Sequence, residues 1–115
     1  MSDADYQRLS RAMLDHIEAT LDAWLDQDLV DIDSHRTGGL LELSLPDRSK
    51  IVLNTQPPLQ ELWLAAKAGG YHFRYVDGLW RDTKTGVEFL TELSAQLTAQ
   101  ARQNLQLPPL ALAAS

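Results

Sequence analysis

The stretch DLVDIDSHRTGGLLELSLPDRSKIVLN, residues 28–54, decides the fold. Its apolar residues recur at every second position: Val30 and Ile32 alternate with Asp31 and Asp33, then Leu41, Leu43 and Leu45 with Glu42 and Ser44. Successive side chains of a strand point to opposite faces, so this period predicts strands with one buried face. Gly38-Gly39 and Pro46-Asp47-Arg48-Ser49 supply turn chemistry, and residues 29–54 read as three antiparallel strands on short connections.

On the N-terminal side the period changes to that of a helix. Tyr6, Leu9, Met13, Ile17, Leu21 and Trp24 fall at helical spacing behind a capping-box-like Ser2 and Asp5. The spacing predicts an amphipathic helix of about six turns, with Asp15, Glu18, Asp22 and Asp26 on a stripe nearly opposite the apolar one. On the C-terminal side, after Pro57-Pro58, Leu62–Ala66, the Tyr71/Phe73/Tyr75 run and Leu79–Asp82 read as three further strands. Thr85 and Glu88 form a second capping box, opening a helix whose apolar positions are Val87, Leu90, Leu93, Leu97 and Ala101. Two helices and one sheet must each bury a single face. The expected fold is α+β, a two-layer sandwich with the N- and C-terminal helices on one face of an antiparallel sheet of about six strands. Residues 1–104 form the expected single domain, and residues 105–115, LQLPPLALAAS, without caps or a sustained period, are expected to be frayed.

Charge is unevenly spread. Residues 1–33 hold nine acids against two bases, residues 34–115 seven against eight, and the net charge is −6. This acidity argues against nucleic acid as a ligand. The absence of cysteine removes disulfides, thiolate metal sites and sulfur ligation of an Fe–S cluster. The acidic start MSDADY has no apolar signal region, and no apolar run approaches the roughly 18 residues of a membrane span, so a cytoplasmic protein without membrane contact is expected.

No GxGxxG, P-loop, GxSxG or HExxH pattern occurs, and the stretch from Asp26 has Asp31 where an EF-hand needs glycine. His16, His35 and His72 stand alone in sequence. No catalytic residue is expected. The acidic stripe reads in two ways. As a solvated helix face it needs no function. Against that, Glu18/Asp22 and Asp22/Asp26 are like-charged i,i+4 pairs, each costing about 0.2–0.5 kcal/mol, and the last acids sit where the helix dipole disfavours anions. Clustered exposed carboxylates are hard ligands for Fe²⁺, Fe³⁺, Mn²⁺, Mg²⁺ or Ca²⁺, and equally a surface for a basic protein partner. In NTQPPLQELWLAAKAGGYHF, residues 54–73, Asn54 and Gln56 share one face of a strand. Trp63 points opposite to Leu62 and Leu64; alternation alone leaves open which side is buried.

Residues 54–73 resemble the signature of the frataxin family, especially its bacterial branch, through Asn54, Gln56, Pro57 or Pro58, Gln60, Trp63-Leu64-Ala65, Gly69-Gly70-Tyr71 and Phe73. The resemblance runs from Tyr6 and Leu9 through Trp24 and Gly38-Gly39 to Trp80 and Thr85-Gly86. It implies the same fold and a role in iron–sulfur cluster assembly. It further implies weak, exchangeable Fe²⁺/Fe³⁺ binding on a ridge of Asp15, Glu18, Asp22, Asp26, Asp28, Asp31 and Asp33. Docking to the cysteine desulfurase and the scaffold protein would use Asn54, Gln56 and Trp63 on the sheet, and the iron-free protein would be a monomer. Ala19 and Ala23 stand where bacterial relatives often carry acids, and Thr55 where a basic residue is usual. The alternative is an acidic interaction module whose metal binding is incidental.

Overall fold

A computed structural model of the chain describes residues 1–110. Helix α1 (Asp3–Asp26) is followed by strands β1 (Asp33–Thr37), β2 (Leu40–Ser44) and β3 (Lys50–Gln56) and a single 3₁₀ turn (Pro57–Leu59). Strands β4 (Glu61–Ala66), β5 (Gly69–Val76) and β6 (Leu79–Asp82) and helix α2 (Phe89–Ala101) complete it. The six strands pair in sequence order, every neighbour antiparallel. This is the predicted two-layer α+β sandwich.

Period explains the core. Leu41, Leu43, Ile51, Leu53, Leu62, Leu64, Phe73 and Trp80 point to the helix side of the sheet and are buried. They meet Tyr6, Leu9, Met13, Ile17, Leu21 and Trp24 of α1 and Leu90, Leu93 and Leu97 of α2 in one cluster. Ser2 caps α1 by accepting from the Asp5 N–H at 3.0 Å. At the other end Asp28 takes a left-handed conformation, φ 54°; the Asp28 N–H donates to the Leu25 carbonyl and the Leu29 N–H to that of Trp24. No basic residue lies in that last turn.

Three element boundaries differ from the sequence expectation. The first strand begins at Asp33, not near residue 29: Val30 and Ile32 are buried, yet they precede the ladder, whose first pair is Asp33 with Ser44. Strand β2 ends there because Pro46 opens a turn, which the Leu45 N–H closes onto the Ser49 carbonyl. The N-cap of α2 is Glu88, not Thr85. The Glu88 carboxylate accepts from the Leu90 N–H, whereas Thr85 Oγ1 accepts from the Val87 N–H one turn earlier.

Residues 105–110 are packed against the helices rather than frayed. Leu105 and Leu107 are buried in the core. With no regular structure to satisfy this backbone, side chains do so: Thr98 Oγ1 both donates to the Leu105 carbonyl and accepts from its N–H, and Ser94 Oγ accepts from the Leu107 N–H at 2.9 Å. His16 Nε2 lies 2.7 Å from the Pro108 carbonyl oxygen. Residues 111–115 of the predicted tail lie outside the described residues. Leu107→Ala is expected to destabilise the protein by about 2–3 kcal/mol, near the low end for a buried leucine; chemical denaturation checks this, and an unchanged midpoint would contradict the packed segment.

Candidate functional site: an acidic ridge and an open sheet face

The seven predicted ridge residues belong to one helix edge and to the segment that leads from it into β1. Asp15, Asp22 and Asp26 are exposed on α1 and Glu18 is half-buried there, and Asp28, Asp31 and Asp33 are exposed beyond it. The structure separates them into two groups, because a residue absent from the sequence reading intervenes. Arg36 pairs in register with Leu41, so its side chain lies on the helix side of the edge strand β1. Its Nη1 donates to Asp15 Oδ1 and to Glu18 Oε1, both at 2.5 Å. Partial burial draws the Arg36 pKa down, but the hydrogen bonds and charges of Glu18 and Asp15 outweigh this and hold it above its ordinary value. Asp22, Asp26, Asp28, Asp31 and Asp33 form no salt bridge among the described residues.

Carboxylate oxygens suit a hard cation such as iron. Yet among the described residues no three His, Cys, Asp or Glu side chains converge closely enough to hold an ion. The donor chemistry fits a hard cation such as iron, and no enclosed ligand set is present among the described residues. Asp28 also has a purely structural part, since its left-handed backbone closes the helix end.

The sheet face turned away from the helices carries the second group. Asn54, Trp63 and His72 lie in one cross-strand row, and Gln56, Glu61, Arg74 and Arg81 in the next. Leu62 and Leu64 are buried on the opposite side, so Trp63 is on the open face, half-buried by its neighbours. Its indole stacks on His72 with centroids 4.1 Å apart and planes 5° from parallel. Glu61 anchors the group from the neighbouring row, accepting from Trp63 Nε1 at 2.8 Å and from Arg74 Nε at 3.0 Å. Glu61 and Arg74 were not singled out by the sequence, and His72 was noted there only as a lone histidine. A period of two counted from Trp63 reaches Glu61, but the partnership with β5 needs the register.

Thr55 does not share this face. It pairs with Leu62, points to the helix side, and sits so near Gly39 that a Cβ there would lie 2.0 Å from Thr55 Oγ1. The departure at Thr55 therefore changes the strand end beside Gly39 and leaves the Asn54–Trp63 row intact. Trp63→Ala is expected to change stability by less than about 1 kcal/mol and to weaken binding of a sheet-face partner about tenfold or more. Thermal melting and an affinity measurement check the two parts; a large loss of stability would mean that the ring serves the fold.

These features define a small α+β domain with an uncovered acidic edge and a polar, aromatic sheet face. The chain belongs to the frataxin family: the Frataxin-like domain model matches residues 1–103. It is 48% identical over 109 residues to the "Iron-sulfur cluster assembly protein CyaY" of Paraburkholderia phymatum, covering 95% of this chain and 100% of that one. The protein of the same name from Burkholderia mallei is 50% identical over 101 residues, 88% of this chain and 93% of the relative. Among solved structures, a frataxin from Psychromonas ingrahamii superposes with a TM-score of 0.85 at 31% identity, covering 95% of this chain and 100% of that one. No described helix is long and apolar enough to cross a membrane.

Proposed function

We propose that this protein is an iron-binding adaptor of iron–sulfur cluster assembly, which binds Fe²⁺ and Fe³⁺ weakly on its acidic ridge and docks onto the cysteine desulfurase and scaffold. The observation that carries the reading is the run of five exposed carboxylates, Asp22, Asp26, Asp28, Asp31 and Asp33, with no salt bridge among the described residues. The name of the CyaY relatives supports the pathway. Asp15 and Glu18 complete the ridge, and Asn54, Gln56 and Trp63 supply the sheet contact.

The mechanism is electrostatic. The five carboxylates from Asp22 to Asp33, without salt-bridge partners among the described residues, repel one another, and either a hard cation or a basic surface relieves that repulsion. Iron on the ridge neutralises the charge that a basic patch on the desulfurase would meet, so iron and partner modulate each other through one surface. Such a protein needs no catalytic group: it changes a reaction by what it contacts. It would act in the cytoplasm, without nucleic acid or membrane, as a monomer when iron-free.

Reconstituted cluster assembly with desulfurase, scaffold, thiol and Fe²⁺ tests this. Adding the protein is expected to change the initial rate in an iron-dependent way, and Asp22→Asn with Asp26→Asn to suppress that change. A rate indifferent to the protein at every iron concentration would contradict the proposal. The lack of a converged ligand set among the described residues favours a second reading, an acidic docking module with incidental metal binding. Equal competition by millimolar Mg²⁺ or Ca²⁺ would favour it.

A further inference from the structure

We infer that Arg36 is an internal counter-cation that withholds Asp15 and Glu18 from metal, leaving the Asp22 to Asp33 end of the ridge as the part open to iron. This rests on the iron-ridge reading above and concerns how that ridge is regulated. Arg36 is the only base on the ridge's flanking strand β1, and its guanidinium bonds both carboxylates through one nitrogen. Its side chain is 21% exposed, against 62% for that of Asp15, so the cation is the better shielded partner. The site is assembled by the fold: Asp15 and Glu18 lie one turn apart on α1, and the register of β1 delivers Arg36 across from them.

A metal ion arriving at Asp15 or Glu18 has to displace a charged donor already seated on both. At Asp22, Asp26 and Asp31 it meets no salt-bridged competitor among the described residues. Because the guanidinium stays charged at any ordinary pH, the block is relieved by competition and not by titration. An inward-facing charge on an edge strand also discourages pairing with another chain. That role leaves iron affinity untouched, which separates the two.

Anaerobic calorimetry with Fe²⁺ alone tests the inference. Arg36→Met is expected to raise Fe²⁺ affinity about three- to tenfold, as removal of one adjacent opposing charge should. The gain should vanish when Asp15→Asn and Glu18→Gln are added. Arg36→Lys, which keeps the charge but offers a point in place of a fork, should give a smaller gain and guards against a folding artefact. Lys84→Met, on the turn after β6, makes the same change in net charge and should give less than half the effect. Equal effects of Arg36→Met and Lys84→Met, with wild-type Fe²⁺ binding intact, would overturn the inference and leave the ridge standing. Absence of Fe²⁺ binding by the wild type would overturn the ridge reading, and this inference with it.

Discussion

Tyr6→Ala is expected to destabilise the domain by about 3–5 kcal/mol, the range for a buried aromatic, which is a large share of the total stability of a domain this size. Tyr6 is 1% exposed and meets Trp80 edge to face at 6.0 Å. Its hydroxyl also joins three elements: it donates to the Glu61 carbonyl at 2.7 Å and accepts from the Gln56 N–H at 3.0 Å, tying α1 to the β3–β4 connection. Burial raises the phenol pKa, against the hydrogen bonds that lower it, so the group stays neutral and able to donate. Tyr6→Phe isolates the hydrogen bonds. It leaves the part-buried Gln56 N–H and the buried Glu61 C=O to find other partners and should cost about 1–3 kcal/mol. Urea unfolding of both variants checks this. A Tyr6→Phe variant as stable as the wild type would show that the hydroxyl link contributes nothing.

Asp22→Lys with Asp26→Lys is expected to abolish docking to the desulfurase while leaving the fold intact. Both side chains are exposed and in no salt bridge, so the stability change should stay within about 0.5 kcal/mol for each. Stability should even rise slightly, since lysines near a helix C-terminus suit the dipole and the repulsion of Asp22 with Glu18 and Asp26 is removed. Binding should fall far more, because a reversed charge places like against like where a basic partner approaches, which costs several kcal/mol. Co-purification with the desulfurase and a thermal melt give the two readouts. Unchanged capture would contradict docking through the ridge.

Elements whose signal is local were legible in the sequence. Helix α1 shows six apolar residues at helical spacing and its Ser2 cap, and the strands show period two between turn residues. The side of the sheet on which Trp63 lies followed once Leu62 and Leu64 were seen to be core. What the sequence hid depends on partners distant along the chain. Val30 and Ile32 kept the period of a strand without a strand to pair with. Leu105 and Leu107 alternate too briefly to stand out, and their backbone is satisfied by Ser94 and Thr98 of α2. Arg36 lies between His35 and Thr37 in a polar run where alternation gives no face, yet its register turns it toward Asp15 and Glu18 and divides the ridge. The acids were readable as a cluster; their grouping was not.

The most direct measurement is an anaerobic Fe²⁺ titration of isotopically labelled protein, followed through the backbone amide resonances. Broadening is expected to begin at Asp22, Asp26 and Asp31, with the Trp63 face unaffected. If no residue responds below millimolar iron, or if the sheet face responds first, the carboxylates are not an iron ridge.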